Sequence, residues 1–204
     1  MAIHLHQNDL PDGLNLGNLV AIDTETMGLK PYRDRLCLVQ LSAGDGVSHL
    51  VHIQKNAKID AKNLKKLLVD PAIMKIFHFA RFDVAALYHN LGVMTTSLYC
   101  TKIASKLVRT YTDRHGLKDL CRELLGVDLS KYEQTSDWGA DSLREEQLKY
   151  AASDVLYLHQ LKIILDQRLQ REDRTKIAAQ CFDFLPARAI LDLMAGEEFD
   201  IFHH

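Results

Sequence analysis

Apolar positions in the first hundred residues fall into short runs bounded by turn residues, the pattern of buried strands. Leu19-Val20-Ala21-Ile22 leads into Asp23. Arg35 to Leu41 is rich in β-formers and lies between Asp34 and the pair Gly44 and Gly46. His49-Leu50-Val51-His52-Ile53 makes a third run. The short connections predict antiparallel pairing among these three. Leu64, Leu67 and Leu68 mark a helix that Pro71 closes. Met74 to His78 reads as a fourth strand, Asp83 to Asn90 as a helix ending before Gly92, and Met94 to Leu98 as a short strand. Beyond that the period is helical, with helices predicted over Thr101–Val108, Leu117–Leu125, Ser142–Gln170 and Thr175–Leu193. Pro186 should bend or break the last of them. Strands first, then βα units, then helices predict an α/β protein: a mixed β-sheet flanked by helices, with a helical C-terminal region. No repeat and no Pro/Ser linker divides the chain, so residues 1–204 read as a single domain.

Composition narrows the class. Hydrophobic residues make up 47% and charged residues 25% of 204, with only 4 Pro and 10 Gly, which excludes a disordered or collagen-like chain. No apolar stretch approaches the roughly 20 residues of a membrane helix. The N-terminus lacks the basic flank and apolar run of a secretory signal. The expectation is a soluble, cytoplasmic protein with no membrane partner. Cys37, Cys100, Cys121 and Cys181 form no CxxC pair and read as small core residues. None of the ten histidines falls in an HExxH arrangement, and His203 and His204 read equally as native residues or as the remnant of a purification tag. A net charge of −2 argues against a protein that coats long nucleic acid by charge alone. It leaves room for an enzyme whose metal ions neutralise phosphate locally.

The candidate chemistry lies in the carboxylates. Asp23 and Glu25 end an apolar strand two residues apart, so both side chains point to one face, roughly 7 Å apart at the backbone. Such a pair needs a metal, an Arg or a Lys between its charges, or else it is an ordinary polar strand end before the Gly28 turn. Asp154 falls within the apolar stripe Leu143, Ala151, Leu158, Leu161 and Leu165, and Tyr150 lies one turn earlier on the same face. Asp83 starts a helix just after a strand, where an N-cap would also explain it. Four acids at the ends of different elements suit a hard cation, Mg²⁺ or Mn²⁺, rather than zinc. They are enough for two divalent cations about 4 Å apart, an arrangement suited to in-line displacement at phosphorus.

Three segments carry a resemblance. Asp23-Thr24-Glu25-Thr26-Met27-Gly28, His78-Phe79-Ala80-Arg81-Phe82-Asp83 and Tyr150-Ala151-Ala152-Ser153-Asp154 resemble the three exonuclease motifs of the DEDDy 3′–5′ exonuclease family. The stretch from Thr135-Ser136-Asp137-Trp138 to Asp154 is ribonuclease D-like in particular. Ribonuclease D carries helical nucleic-acid-binding domains beyond the catalytic one, and 204 residues leave no room for them. The chain is therefore most similar to the short, single-domain nano-RNase C type, which acts on very short RNA. The resemblance implies a ribonuclease H-like fold and 3′–5′ hydrolysis of RNA to 5′-mononucleotides. Asp23, Glu25 and Asp154 would hold two metals, Asp83 would assist directly or through water, and Tyr150 would orient the attacking water. Trimming of tRNA 3′ ends and a DNA 3′–5′ exonuclease are the alternatives.

Substrate contacts are read from the neighbouring residues. Met27, Gly28 and Leu29 follow the first acids and would wedge against terminal bases, or pack in the core. His78 and Phe82 either contact substrate or support Asp83. Trp138 would stack on a base or pack structurally. Lys102, Lys106 and Arg109 recur at helical spacing as one basic stripe for phosphates or for an acidic partner subunit, with Arg114, Lys118 and Arg122 following. The apolar segment from Ala187, which also holds Glu197, Glu198 and Asp200, predicts a homo-oligomer.

Overall fold

A computed structural model describes residues 2–55, 60–129, 133, 136–195 and 201. Strands β1 (Ala2–Gln7), β2 (Leu19–Thr26), β3 (Leu36–Ser42) and β4 (Val47–His52) are followed by helix α1 (Lys62–Val69) and strand β5 (Met74–Phe77). Helix α2 (Ala80–Leu91) and strand β6 (Leu98–Cys100) complete the sheet half. Helices α3 (Thr101–Val108), α4 (Leu117–Leu120), α5 (Glu145–Leu156), α6 (Leu158–Arg171) and α7 (Thr175–Ala195) make up the rest, with a π-helical turn at Cys121–Leu125. The six strands form one mixed sheet in the order β1-β4-β3-β2-β5-β6. β2, β3 and β4 pair antiparallel as the short connections predict, while β5 and β6 run parallel to β2 after helical crossovers. Among the described residues no helix is long and apolar enough to cross a membrane.

Burial follows the sequence pattern. Every residue of β3 is buried, the mark of a central strand covered on both faces. Val20, Ala21 and Ile22 of β2, Ile76 and Phe77 of β5, and Val84 and Leu87 of α2 belong to the main core. On the other side Cys37, Leu38, Leu50, Trp138 and Ala151 form a smaller cluster between the sheet and α5. Ala151 and Ala152 keep that approach close, and Ser48 Oγ donates to the Ala152 carbonyl at 3.3 Å. Cys37, Cys100 and Cys121 are buried thiols and Cys181 is half-buried, all four free.

Several expectations need correction. β1 has no apolar run to announce it. It is a largely exposed edge strand, parallel to β4 and held by the backbone ladder. The strand expected over Met94–Leu98 begins only at Leu98, because Ser97 adopts a left-handed φ of 53° that turns the chain just before it. The helix expected over Ser142–Gln170 starts at Glu145. There the buried Gln147 accepts the Arg144 backbone N–H at 2.9 Å and donates to the Asp137 carbonyl at 3.1 Å. The same helix divides at Tyr157. α5 lies on β2, β3 and β4 while α6 packs against α3 and α7, so one apolar stripe serves two layers only if the axis changes. His159 Nε2 donates to the Leu19 carbonyl at 3.0 Å and fixes the start of α6. Pro186 sits inside α7 without breaking it. Asp192, buried on α7, accepts hydrogen bonds from Arg81 Nε and Nη2 of α2 at 2.6 and 2.7 Å and also pairs with Arg188.

Candidate active site

Topology gathers the acids. β5 lies parallel beside β2, so the turn after β5 delivers the first residues of α2 next to the end of β2. Thr24 Oγ1 donates to Asp83 Oδ1 at 2.7 Å, which joins the two elements and fixes the Asp83 carboxylate. α5 crosses the sheet and brings Asp154 to the same place. One oxygen each from Asp23, Glu25 and Asp154 lies within 4.8 Å of the other two. Asp83 borders the same cleft, of about 550 Å³, with Tyr150, His78, Phe82, Lys102 and the residues from Thr24 to Leu29.

The electrostatics of this cleft are unfavourable without a cation. Burial pushes the Glu25 carboxyl up to about 9, with the Asp154 and Asp83 charges adding to it. Burial holds Asp83 at about 7, the Thr24 bond opposing the rise. Asp154 also stands at about 7, raised by burial and by Asp83. Asp23 is raised well above its ordinary value by burial and by all three neighbours. Among the described residues no Lys or Arg pairs with any of the four. Of the three counter-charges the sequence allowed for, only a metal fits, and an all-oxygen donor set selects a hard divalent ion. Gln40 lies opposite Asp23 in the β2–β3 ladder and donates its amide to Asp23 Oδ2 at 3.4 Å, a contact that sequence reading missed.

Tyr150 borders the cleft beside Asp154, and burial, then the neighbouring carboxylates, push its phenol above the ordinary value. In this setting it is a protonated group that aims a hydrogen bond rather than a standing base. His78 Nδ1 lies 2.9 Å from Thr101 Oγ1, whose own proton goes to the Phe77 carbonyl. That arrangement places the imidazole proton on Nδ1. Burial, then Lys102, lowers the ring to about 3, so it stays neutral.

Other candidates fall where packing allows. Met27 and Leu29 are 54% and 80% exposed at the lip of the cleft, which rules out a core role. A Cβ on Gly28 would come within 2.4 Å of Asp34 Oδ2, so the loop closes on that acid only because Gly28 lacks one. Trp138 is buried against Ala151 and packs beside the Tyr150 ring at 6.1 Å between centroids. It supports Tyr150 and offers little free face for a base. Lys102 stands over the Phe79 ring at 4.0 Å and borders the cleft, as do Lys118 and Phe79, the last again missed from sequence.

The basic stripe is corrected at its third member. Lys106 is exposed, but Arg109 lies past the end of α3, where the helical spacing no longer applies. Its side chain is fully buried, paired with Glu123, and donates to Ser105 Oγ at 3.0 Å and the Arg114 carbonyl at 2.7 Å. Arg122 is paired with Asp119 at 2.9 Å. Thr135, Glu197, Glu198, Asp200, His203 and His204 lie outside the described residues.

Comparison with known proteins agrees with this geometry. A family described as 3′–5′ exonuclease matches residues 8–170. The ribonuclease D of Gluconacetobacter diazotrophicus is 37% identical over 155 residues, 76% of this chain and 39% of that protein. The chain thus spans about two-fifths of the length of such relatives. The structure of Brucella melitensis NrnC with bound Mg²⁺ is 58% identical, with a TM-score of 0.94 and 100% of both chains covered. The same Brucella protein bound to pGG is 59% identical at a TM-score of 0.95, covering 100% of this chain and 99% of that one. The ribonuclease H-like fold and the DEDDy resemblance read from the three motifs both stand.

Proposed function

The chain belongs to the 3′–5′ exonuclease family, and on that premise we propose that it is a metal-dependent exoribonuclease that degrades short oligoribonucleotides from the 3′ end to 5′-mononucleotides. The observation that carries this reading is the convergence of the Asp23, Glu25 and Asp154 oxygens within 4.8 Å, beside Asp83 and, among the described residues, with no Lys or Arg paired to any of them. Asp23, Glu25 and Asp154 would hold two Mg²⁺ or Mn²⁺ ions, with Asp83, fixed by Thr24, closing the set; bound there, the ions would supply an activated water and shield the charge on the leaving 3′-oxygen. Tyr150 orients the attacking water and anchors Asp154. Met27 and Leu29, at the exposed lip, separate the terminal bases, with Gly28 keeping the turn tight. Lys102 and Lys118 face the phosphates, and His78 and Phe82 shape the wall behind them.

A short substrate follows from the contacts available. With Arg109 buried, few cations line the cleft, whereas tight binding of long RNA rests on many phosphate contacts. The similarity to the Brucella protein bound to pGG supports the same length class. A single catalytic domain also fits, and a homo-oligomer would cover Ile177, Ile190 and Met194, which α7 leaves exposed. The test is hydrolysis of 5′-labelled RNA and DNA, from two to about twenty nucleotides, with Mg²⁺ or Mn²⁺ and alongside solution mass. We expect kcat/KM for RNA to be highest at about two to five nucleotides. A monomer that digests long structured RNA faster than dinucleotides overturns the reading and points to tRNA trimming; a preference for DNA overturns the substrate class.

A further inference from the structure

On the edge of the sheet farthest from α3, three histidines share one face. His4 and His6 alternate along β1, and two residues apart on a strand means the same side. His49 of β4 is the direct ladder partner of His4. The His6 and His49 rings are almost coplanar, 8° apart, with centroids at 5.3 Å and His6 Nε2 only 3.0 Å from His49 Nδ1. Their nitrogens therefore point at each other. The His4 ring lies 5.2 Å from that of His49 at 23°. His4 is exposed and the other two are half-buried.

We propose that His4, His6 and His49 form a second metal site, for a borderline divalent ion of the Zn²⁺ type rather than for Mg²⁺. Neutral imidazole is the preferred ligand of such ions, at about 2.0–2.1 Å. Two nitrogens bound to one ion at angles of 90–109° stand about 2.9–3.4 Å apart; His6 and His49 already have that spacing, and because their nitrogens face each other, each ring turns by roughly 40° to aim its lone pair at a shared ion. His4 joins by rotation about its side-chain torsions, and water completes the shell. One of the two facing nitrogens carries the proton of the present hydrogen bond. On binding, that proton moves to the other nitrogen of the same ring, so neutral rings coordinate without a change in net protonation. Burial and the neighbouring imidazoles lower both His6 and His49, with Asp45 opposing this at His49, so the neutral form is favoured. A bound ion would clamp the edge strand β1 to β4 by bonds that do not involve the backbone.

The experiment is a Zn²⁺ titration of the full chain, free of any added tag, in excess Mg²⁺ to occupy the carboxylates. It is followed by the imidazole ¹⁵N resonances. The site requires the His4, His6 and His49 signals to shift together and saturate at one ion per chain. His6→Gln and His49→Gln should each weaken binding by about tenfold or more. Mg²⁺-dependent hydrolysis should be unchanged in both variants, which also reports that they fold. Shifts confined to other histidines, no shift at all, or equal affinity in folded variants overturns the site.

Discussion

Replacing Asp154 by Asn removes one charge from the cleft and almost no volume. In the parent, burial and the Asp83 charge hold the Asp154 carboxyl at about 7, against an ordinary 3.8. An acid whose folded value lies above its unfolded value costs nothing below about pH 4, where both states are protonated. The penalty grows as pH rises from about 4 to 7 and is complete above that. About 1.4 kcal/mol per pH unit over roughly three units sets a ceiling near 4 kcal/mol. The cleft is open to water, which screens the charges and lowers this figure, so about 1–3 kcal/mol is expected. In chelator at pH 8, Asp154→Asn should therefore melt about 2–10 °C above the parent. Near pH 4 the two should coincide. Adding Mg²⁺ should reverse the order, because only the parent keeps the full ligand set. Thermal unfolding across pH, with and without metal, reads all of this. A variant no more stable than the parent in chelator at pH 8, or one that hydrolyses RNA at the parent rate, refutes the account.

Three further outcomes are expected. Tyr150→Phe should lower kcat by about 10² to 10⁴ while Mg²⁺ affinity, read by calorimetry, stays near that of the parent. Arg109→Ala should cost about 2–4 kcal/mol in urea unfolding, because Ser105 and the Arg114 carbonyl lose a buried donor. Below its melting range it should keep the parent's KM for dinucleotides, whereas Lys102→Gln should raise that KM. Gly28→Ala must push the loop off Asp34, so kcat/KM should fall by up to about 10²-fold, the effect of a roughly 1 Å displacement, with metal affinity retained.

The site was legible from sequence because its acids break the pattern around them. Asp23 ends an apolar run and Asp154 interrupts an apolar stripe, and burial of a charge is what such an interruption signals. Asp83 was legible only beside the others, since an acid in a first helical turn is ordinary. Arg109 misled because helical spacing was carried one residue past the end of α3, and nothing in Val108-Arg109-Thr110 marks that end. The division at Tyr157 has neither Pro nor Gly, and is set by which layer each half of the stripe must reach. β1 was missed because an exposed edge strand needs no apolar face. Gln40 was invisible for a related reason: a buried amide among apolar neighbours becomes meaningful only once the ladder places it opposite Asp23.

The order in which the acids occur along the chain has a consequence for synthesis. Chains emerge N-terminus first, so β2 and α2 present Asp23, Glu25 and Asp83 well before α5 exists. Until residue 154 has emerged and its helix has crossed the sheet, the oxygen cluster lacks one member and α5 does not cover Cys37, Leu38 and Leu50. On the proposed function, a half-made chain is therefore a silent one. A ribosome translating this protein would hold RNA beside a chain whose metal-binding cluster is completed only when α5 docks.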